Sequence, residues 1–190
     1  MNAFDSARLI EARSLAVLTP FLEEKAYKGR FVLCLKGPLA AALQTSIGDA
    51  LFNTADGRVM SVECKADDTT YDNLFLETFS NKNLERAENH SGRGSRAGWL
   101  VTQGADILLY HRLQFDELLA IPLFRLKRWA FGHSNGEANI YRFPERKQGR
   151  FAQLNDTWGR CVPISIVERD VGLRRFSVRQ LTLWSQGDVA

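Results

Sequence analysis

Two apolar runs, Gln44 to Phe52 and Arg58 to Lys65, flank the five residues Asn53-Thr54-Ala55-Asp56-Gly57. Asp-Gly at the end of so short a connection signals a β-hairpin, because glycine supplies the positive φ that a tight reversal needs. The chain is committed here to two antiparallel strands, and the residues on them must obey a period of two. Side chains two apart share a face, so Glu63 and Lys65 point one way while Val62 and Cys64 point the other. A carboxylate and an ammonium following Val59-Met60-Ser61-Val62 are costly to bury unless they are paired or put to use. Asp49, in Ile47-Gly48-Asp49-Ala50-Leu51-Phe52, stands on the preceding strand and can meet Glu63 across the hairpin.

The remaining pattern surrounds this hairpin with further elements. Asp5 to about Tyr27 reads as a helix, with Phe4 and Asp5 as staple and cap and Leu9, Ala12, Leu15, Ala16 and Leu18 near helical spacing. Pro20 is expected to kink or end it. Phe31 to Leu35 reads as a strand closed by Gly37-Pro38. Tyr71 to about Glu88 reads as a second helix, with Leu74, Phe75, Thr78 and Phe79 on one side. Ala105 to Tyr110 is a buried strand, Leu118 to Pro122 another, and Leu123 to Phe131 a short helix. Strand-like pieces follow around Asn139–Phe143 and Cys161–Val167. The first 112 residues therefore run α-β-β-β-α-β, a mixed α/β core. Residues 1–120 are expected to form that core, with residues 121–190 a basic, β-rich extension packed on it.

Charge divides along the same boundary. Residues 1–120 carry 13 Lys and Arg against 16 Asp and Glu, whereas residues 121–190 carry 12 against 6. An acidic body with a basic extension suits a polyanionic partner. At 190 residues, with 45% hydrophobic and 25% charged, the chain can bury its own core and is neither disordered nor fibrous. No apolar run reaches the roughly 18 residues that span a bilayer, and Met1 to Glu11 shows no basic-then-apolar leader. A cytoplasmic protein without a membrane partner is expected. Cys34, Cys64 and Cys161, like His90, His111 and His133, are widely spaced and contain no C-x-x-C, so neither a disulfide framework nor a zinc site is indicated.

Two carboxylates, a backbone carbonyl and a lysine in one place have a chemical logic. Hard oxygen donors suit Mg²⁺, a bound metal offsets charge building on phosphorus, and an ammonium can position the attacking water. Gly48-Asp49 followed fourteen residues later by Glu63-Cys64-Lys65 resembles the PD-(D/E)XK nuclease superfamily, which includes restriction enzymes, junction resolvases and phage nucleases. Acid-x-Lys occurs three times, as Glu23-Glu24-Lys25, Glu63-Cys64-Lys65 and Glu145-Arg146-Lys147, but only the middle copy lies on a predicted buried strand behind an Asp-bearing one. Asn73-Leu74-Phe75-Leu76-Glu77, with Gly98-Trp99-Leu100 and the Ala105–Tyr110 strand, is similar to phage-type members. The chain departs from the pattern in having Gly48 where the family has proline.

The resemblance covers residues 5–112 and implies a restriction-endonuclease-like αβββαβ core. It also implies a Mg²⁺-dependent DNA endonuclease, with Mn²⁺ as a substitute metal. In that reading Asp49, Glu63 and the Cys64 carbonyl hold the metal, Lys65 orients the attacking water, and the cut leaves a 5′-phosphate. Glu11 on the first helix matches a further metal-side carboxylate of the family. Glu77 reads as structural, and Asp67 and Asp68 as caps of the turn after the strand. Cutting both strands of a duplex would suit a homodimer. The alternatives are a catalytically inactive nucleic-acid-binding protein on the same fold, and an interaction domain in which Asp49, Glu63 and Lys65 form a surface ion-pair patch.

Nucleic-acid contacts are expected from two regions. Gly92-Arg93-Gly94-Ser95-Arg96-Ala97 matches G-x-G-x-x-A, but it lacks the preceding strand and following helix of a dinucleotide site. Arg93 and Arg96 are read instead as a backbone clamp. Lys127, Arg128, Arg146 and Lys147 lie among Trp129, Phe131, Tyr141 and Phe143, a mixture suited to phosphate contact and base stacking on DNA, branched or single-stranded forms included.

Overall fold

The structure is a computed structural model and describes residues 3–23, 30–34, 47–82, 96–134, 136–148 and 156–178. In chain order the elements begin with α1 (Ala3–Phe21), β1 (Arg30–Cys34), β2 (Ala50–Asn53), β3 (Val59–Asp67), β4 (Asn73–Asn81), β5 (Arg96–Ala97) and α2 (Trp99–Thr102). They continue with β6 (Ile107–Arg112), β7 (Glu117–Pro122), α3 (Leu123–Phe131), β8 (His133–Ser134) and β9 (Glu137–Ala138). The last are β10 (Glu145–Lys147), β11 (Trp158–Pro163), α4 (Ile164–Asp170) and β12 (Arg174–Ser177).

The chain is α/β, built on a mixed sheet. The expected hairpin is present: β2 and β3 are antiparallel, with Ala50 opposite Val62 and Asn53 opposite Val59. β1 extends this meander on one side, and β6 lies parallel to β3 on the other. With β7 and β12 the order is β1-β2-β3-β6-β7-β12. The parallel register is fixed at its start, where the Asp106 carboxylate accepts from the Ser61 N–H and hydroxyl, both at 2.8 Å. A second sheet, β10-β11-β4-β5, covers part of one face.

Each face of the large sheet has its own core. On one side Leu18, Phe21 and Leu22 of the α1 segment pack with Phe52, Val62, Leu109, Leu118 and Val178. The Ser14 hydroxyl lies 2.9 Å from His111 Nδ1 and ties that helix to β6. On the other side Leu108, Tyr110, Leu119 and Ile121 meet Leu74 and Leu76 of β4 together with α3, β11 and α4. Each leucine fully buried in these layers contributes roughly 1.5–3 kcal/mol.

Several predicted elements are corrected. The helix expected from Tyr71 is the strand β4. Leu74, Leu76 and Thr78 are buried and their neighbours only partly so, which is the period of two, and pairing with β11 from Asn73 to Phe79 fixes it. The far end of that expected helix, residues 83–88, lies outside the described residues, as do residues 89–95 of the loop that follows. Between β3 and β6 the described elements are the strands β4 and β5 followed by the four-residue α2, so two strands are added within the order α-β-β-β-α-β as read. Asn139–Arg142 is a 3₁₀ turn rather than a strand, and β11 ends at Pro163, where proline opens α4. No helix among the described residues is long and apolar enough to cross a membrane.

Candidate active site

Gly48 decides how Asp49 leads into β2. Its φ is +93°, and a Cβ there would stand 2.5 Å from the Val62 carbonyl oxygen. Proline, locked near −65°, cannot take this backbone. The Asp49 N–H then donates to the Val62 carbonyl at 2.8 Å. Its carboxylate continues the ladder past the end of β2 by accepting the Cys64 N–H at 2.8 Å. Within a strand the N–H and C=O of one residue point to the same side, so the Cys64 carbonyl faces the edge from which Asp49 projects.

Glu63 and Lys65 lie opposite Leu108 and Tyr110 and share their face, between the two sheets. Glu63 is 3% exposed. It is ion-paired with Lys65, and its other oxygen accepts from the Gln103 side-chain amide. Burial pushes the Glu63 carboxyl up to about 7, with the Asp49 charge adding to the rise and Lys65 only partly offsetting it. Burial alone would lower Lys65, but the carboxylates of Glu63 and Asp49 hold its ammonium above the ordinary range. The two carboxylates and the ammonium thus act on one another, as the hairpin register predicts.

Lys65 opens into a cleft of about 420 Å³ between the sheets, lined also by Glu77, Trp99, Tyr110, Arg146 and Lys147. Burial raises the Glu77 carboxyl, against the pull of the Ser80 hydroxyl, Lys65 and the Trp99 N–H. Asp67 caps the turn as expected, accepting the Thr69 N–H at 2.8 Å, and it also accepts the Tyr110 hydroxyl at 2.9 Å.

Other expected site residues fall in different places. Glu11 is exposed on α1, next to Ile10 of the cleft wall. Arg146 and Lys147 reach the cleft rim, Lys147 paired with Asp156 at 2.9 Å. Arg128 is exposed on α3. Lys127 turns inward: its ammonium donates to the carbonyls of Val101, at 3.0 Å, and Gln103, which braces the segment that holds Glu63. Arg93 lies outside the described residues, and Arg96 pairs through its backbone with Asn81 in β5. Gln103 was not singled out in the sequence, since one glutamine after a short apolar stretch has no distinguishing pattern.

The donor set suits a hard divalent cation. Asp49, Glu63 and the Cys64 carbonyl offer only oxygen, the preference of Mg²⁺. Among the described residues no three His, Cys, Asp or Glu side chains gather into a metal cluster. Comparison with known proteins finds no matching family model, no similar curated protein and no similar solved structure.

Glu63 makes the stability of the metal-free chain depend on pH. In the folded chain it keeps its proton up to about pH 7, against an ordinary 4.5. The folded state therefore binds more protons between those values, and stability falls as pH rises through that window. Thermal melts of the metal-free protein from about pH 5 to about pH 7.5 are expected to show a decline that Glu63→Gln reduces, the raised carboxyl of Glu77 supplying a part of the same sign. Equal slopes in the two proteins would contradict it.

Proposed function

We propose that the chain is a Mg²⁺-dependent nuclease of restriction-endonuclease-like architecture that hydrolyses phosphodiester bonds in DNA. The observation that carries this reading is the convergence of Asp49, Glu63 and Lys65 at the edge of β2 and β3, beside a cleft that also carries Arg146 and Lys147. An antiparallel meander with a parallel fourth strand beside the acid-x-Lys strand supports the same reading.

In this reading Asp49, Glu63 and the Cys64 carbonyl hold the metal. When bound, Mg²⁺ stabilises the charge that builds on the phosphate oxygens. Glu63 must lose its proton to serve, and Gln103 fixes the orientation of its carboxylate. Lys65 holds the attacking water and shares the transition-state charge. Water adds to phosphorus in line, the bond to the 3′ oxygen breaks, and a 5′-phosphate and a 3′-hydroxyl result. Arg146 and Lys147 at the rim hold neighbouring phosphates.

The test is nicking of a supercoiled plasmid with Mg²⁺ or Mn²⁺, compared with Asp49→Asn. Asparagine can still accept the Cys64 N–H through its amide oxygen, so the fold is retained while the charge is lost. Metal-dependent cutting that disappears in the variant is expected. Cutting that survives in Asp49→Asn or in chelator, or no cutting of any DNA form, would overturn the reading.

A further inference from the structure

The cleft beside Lys65 is lined by aromatic faces, by the cations Lys65, Arg146 and Lys147, and by the carboxylates of Asp67, Asp68 and Glu77. Trp99 of α2 and Phe75 of β4 form part of its wall, and Lys65 Nζ lies 6.0 Å from the centre of the Trp99 ring. Tyr71, between β3 and β4, stands at the mouth with 68% of its surface exposed. Arg146 and Lys147 occupy the rim on β10. At about 420 Å³ the cleft is in the size range, roughly 300–1,000 Å³, of pockets that enclose a small ligand.

We propose that this cleft takes an unpaired nucleotide, its base stacked on Tyr71 and Trp99 and its flanking phosphates held by Arg146 and Lys147. The inference rests on the nuclease reading and deepens it: the preferred substrate is a single strand, a flap or a frayed end. Base faces in an intact duplex are already stacked on their neighbours and cannot meet an aromatic side chain. A free base can, and each such contact strengthens binding without reading sequence. The recess of Lys65 between two sheets points the same way, because the scissile phosphate must enter the cleft to reach it. A paired strand can enter only if a nucleotide is first drawn out of the stack, which costs unstacking energy.

The proposal is tested by fluorescence anisotropy with one labelled oligonucleotide, offered single-stranded or as a blunt duplex, in Ca²⁺ so that binding is read apart from cutting. Cleavage of the same two probes in Mn²⁺ runs in parallel. The single strand is expected to bind about tenfold or more tightly than the duplex. Tyr71→Ala is expected to weaken single-strand binding roughly 5- to 150-fold, with duplex binding little changed, whereas Tyr71→Phe keeps the preference. Tyr71 is exposed, so its removal does not unfold the chain. Duplex bound and cut as well as single strand would overturn the substrate assignment and leave the nuclease reading standing. Single-strand preference without cutting in Mn²⁺ would uphold the stacking cleft and overturn the nuclease. No binding of either probe, or single-strand binding unchanged in Tyr71→Ala, would overturn the proposal.

Discussion

Lys65→Met is expected to lower DNA cleavage by at least about a hundredfold, the scale of losing one preorganised donor at a reacting centre. Methionine keeps the unbranched stem and removes only the charge, so the walls of the cleft stay packed. The usual objection is that removing half of a buried ion pair leaves the other half stranded and unfolds the protein. Here Glu63 already titrates at about 7, and Lys65 is what holds it that low. Without the ammonium the carboxyl takes up a proton near neutral pH and still accepts from Gln103. The variant is therefore expected to melt close to wild type below neutral pH while its cleavage rate collapses. A plasmid assay alongside thermal melts separates these effects. Retained cutting would remove Lys65 from the chemistry, and gross unfolding would make the ion pair structural.

Gly48→Ala is expected to be the most damaging single methyl group near the site. Left-handed backbone at a residue with a side chain costs roughly 1–3 kcal/mol. Here the added Cβ would also stand 2.5 Å from a backbone oxygen of the neighbouring strand, which cannot move without disturbing the sheet. Gly57 provides the control: its φ is +80°, yet nothing lies within 4 Å of the position its Cβ would take. Gly57→Ala should show the strain alone. A chain of this size loses roughly 2–4 °C in Tm per kcal/mol, so calorimetry should resolve the difference. Cleavage should fall in Gly48→Ala as well, because the ladder bonds of Asp49 start from that backbone. Equal melting temperatures for the two variants would mean that the Val62 carbonyl yields more easily than its strand pairing implies.

The hairpin and its three charged residues were legible in the sequence because the information is local. A five-residue connection ending in Asp-Gly sets the reversal, and a strict period of two then assigns Glu63 and Lys65 to one face. The helix expected from Tyr71 failed for a related reason. Leu74, Phe75, Thr78 and Phe79 satisfy helical spacing, but Leu74, Leu76 and Thr78 satisfy alternation equally well, and β11 decides between them. That partner lies far along the chain and leaves no mark on the segment itself. Lys127 misleads similarly: a basic residue on a short helix looks solvated until the backbone carbonyls it braces are known. Arg146 and Lys147 were found through charge, though nothing local placed them across a cleft from Lys65.

The long span between β4 and β11 also has a consequence for how the molecule comes into being. Asn73 pairs with Pro163 and Phe79 with Trp158, contacts whose loop must close before any stabilisation is gained. The β2–β3 hairpin, by contrast, is the kind of unit that forms in microseconds. During synthesis Asp49, Glu63 and Lys65 can assemble long before the strand that walls their cleft has emerged. The growing chain thus holds these three charged groups in the open, and Lys65 gains its cleft wall only when β11 arrives.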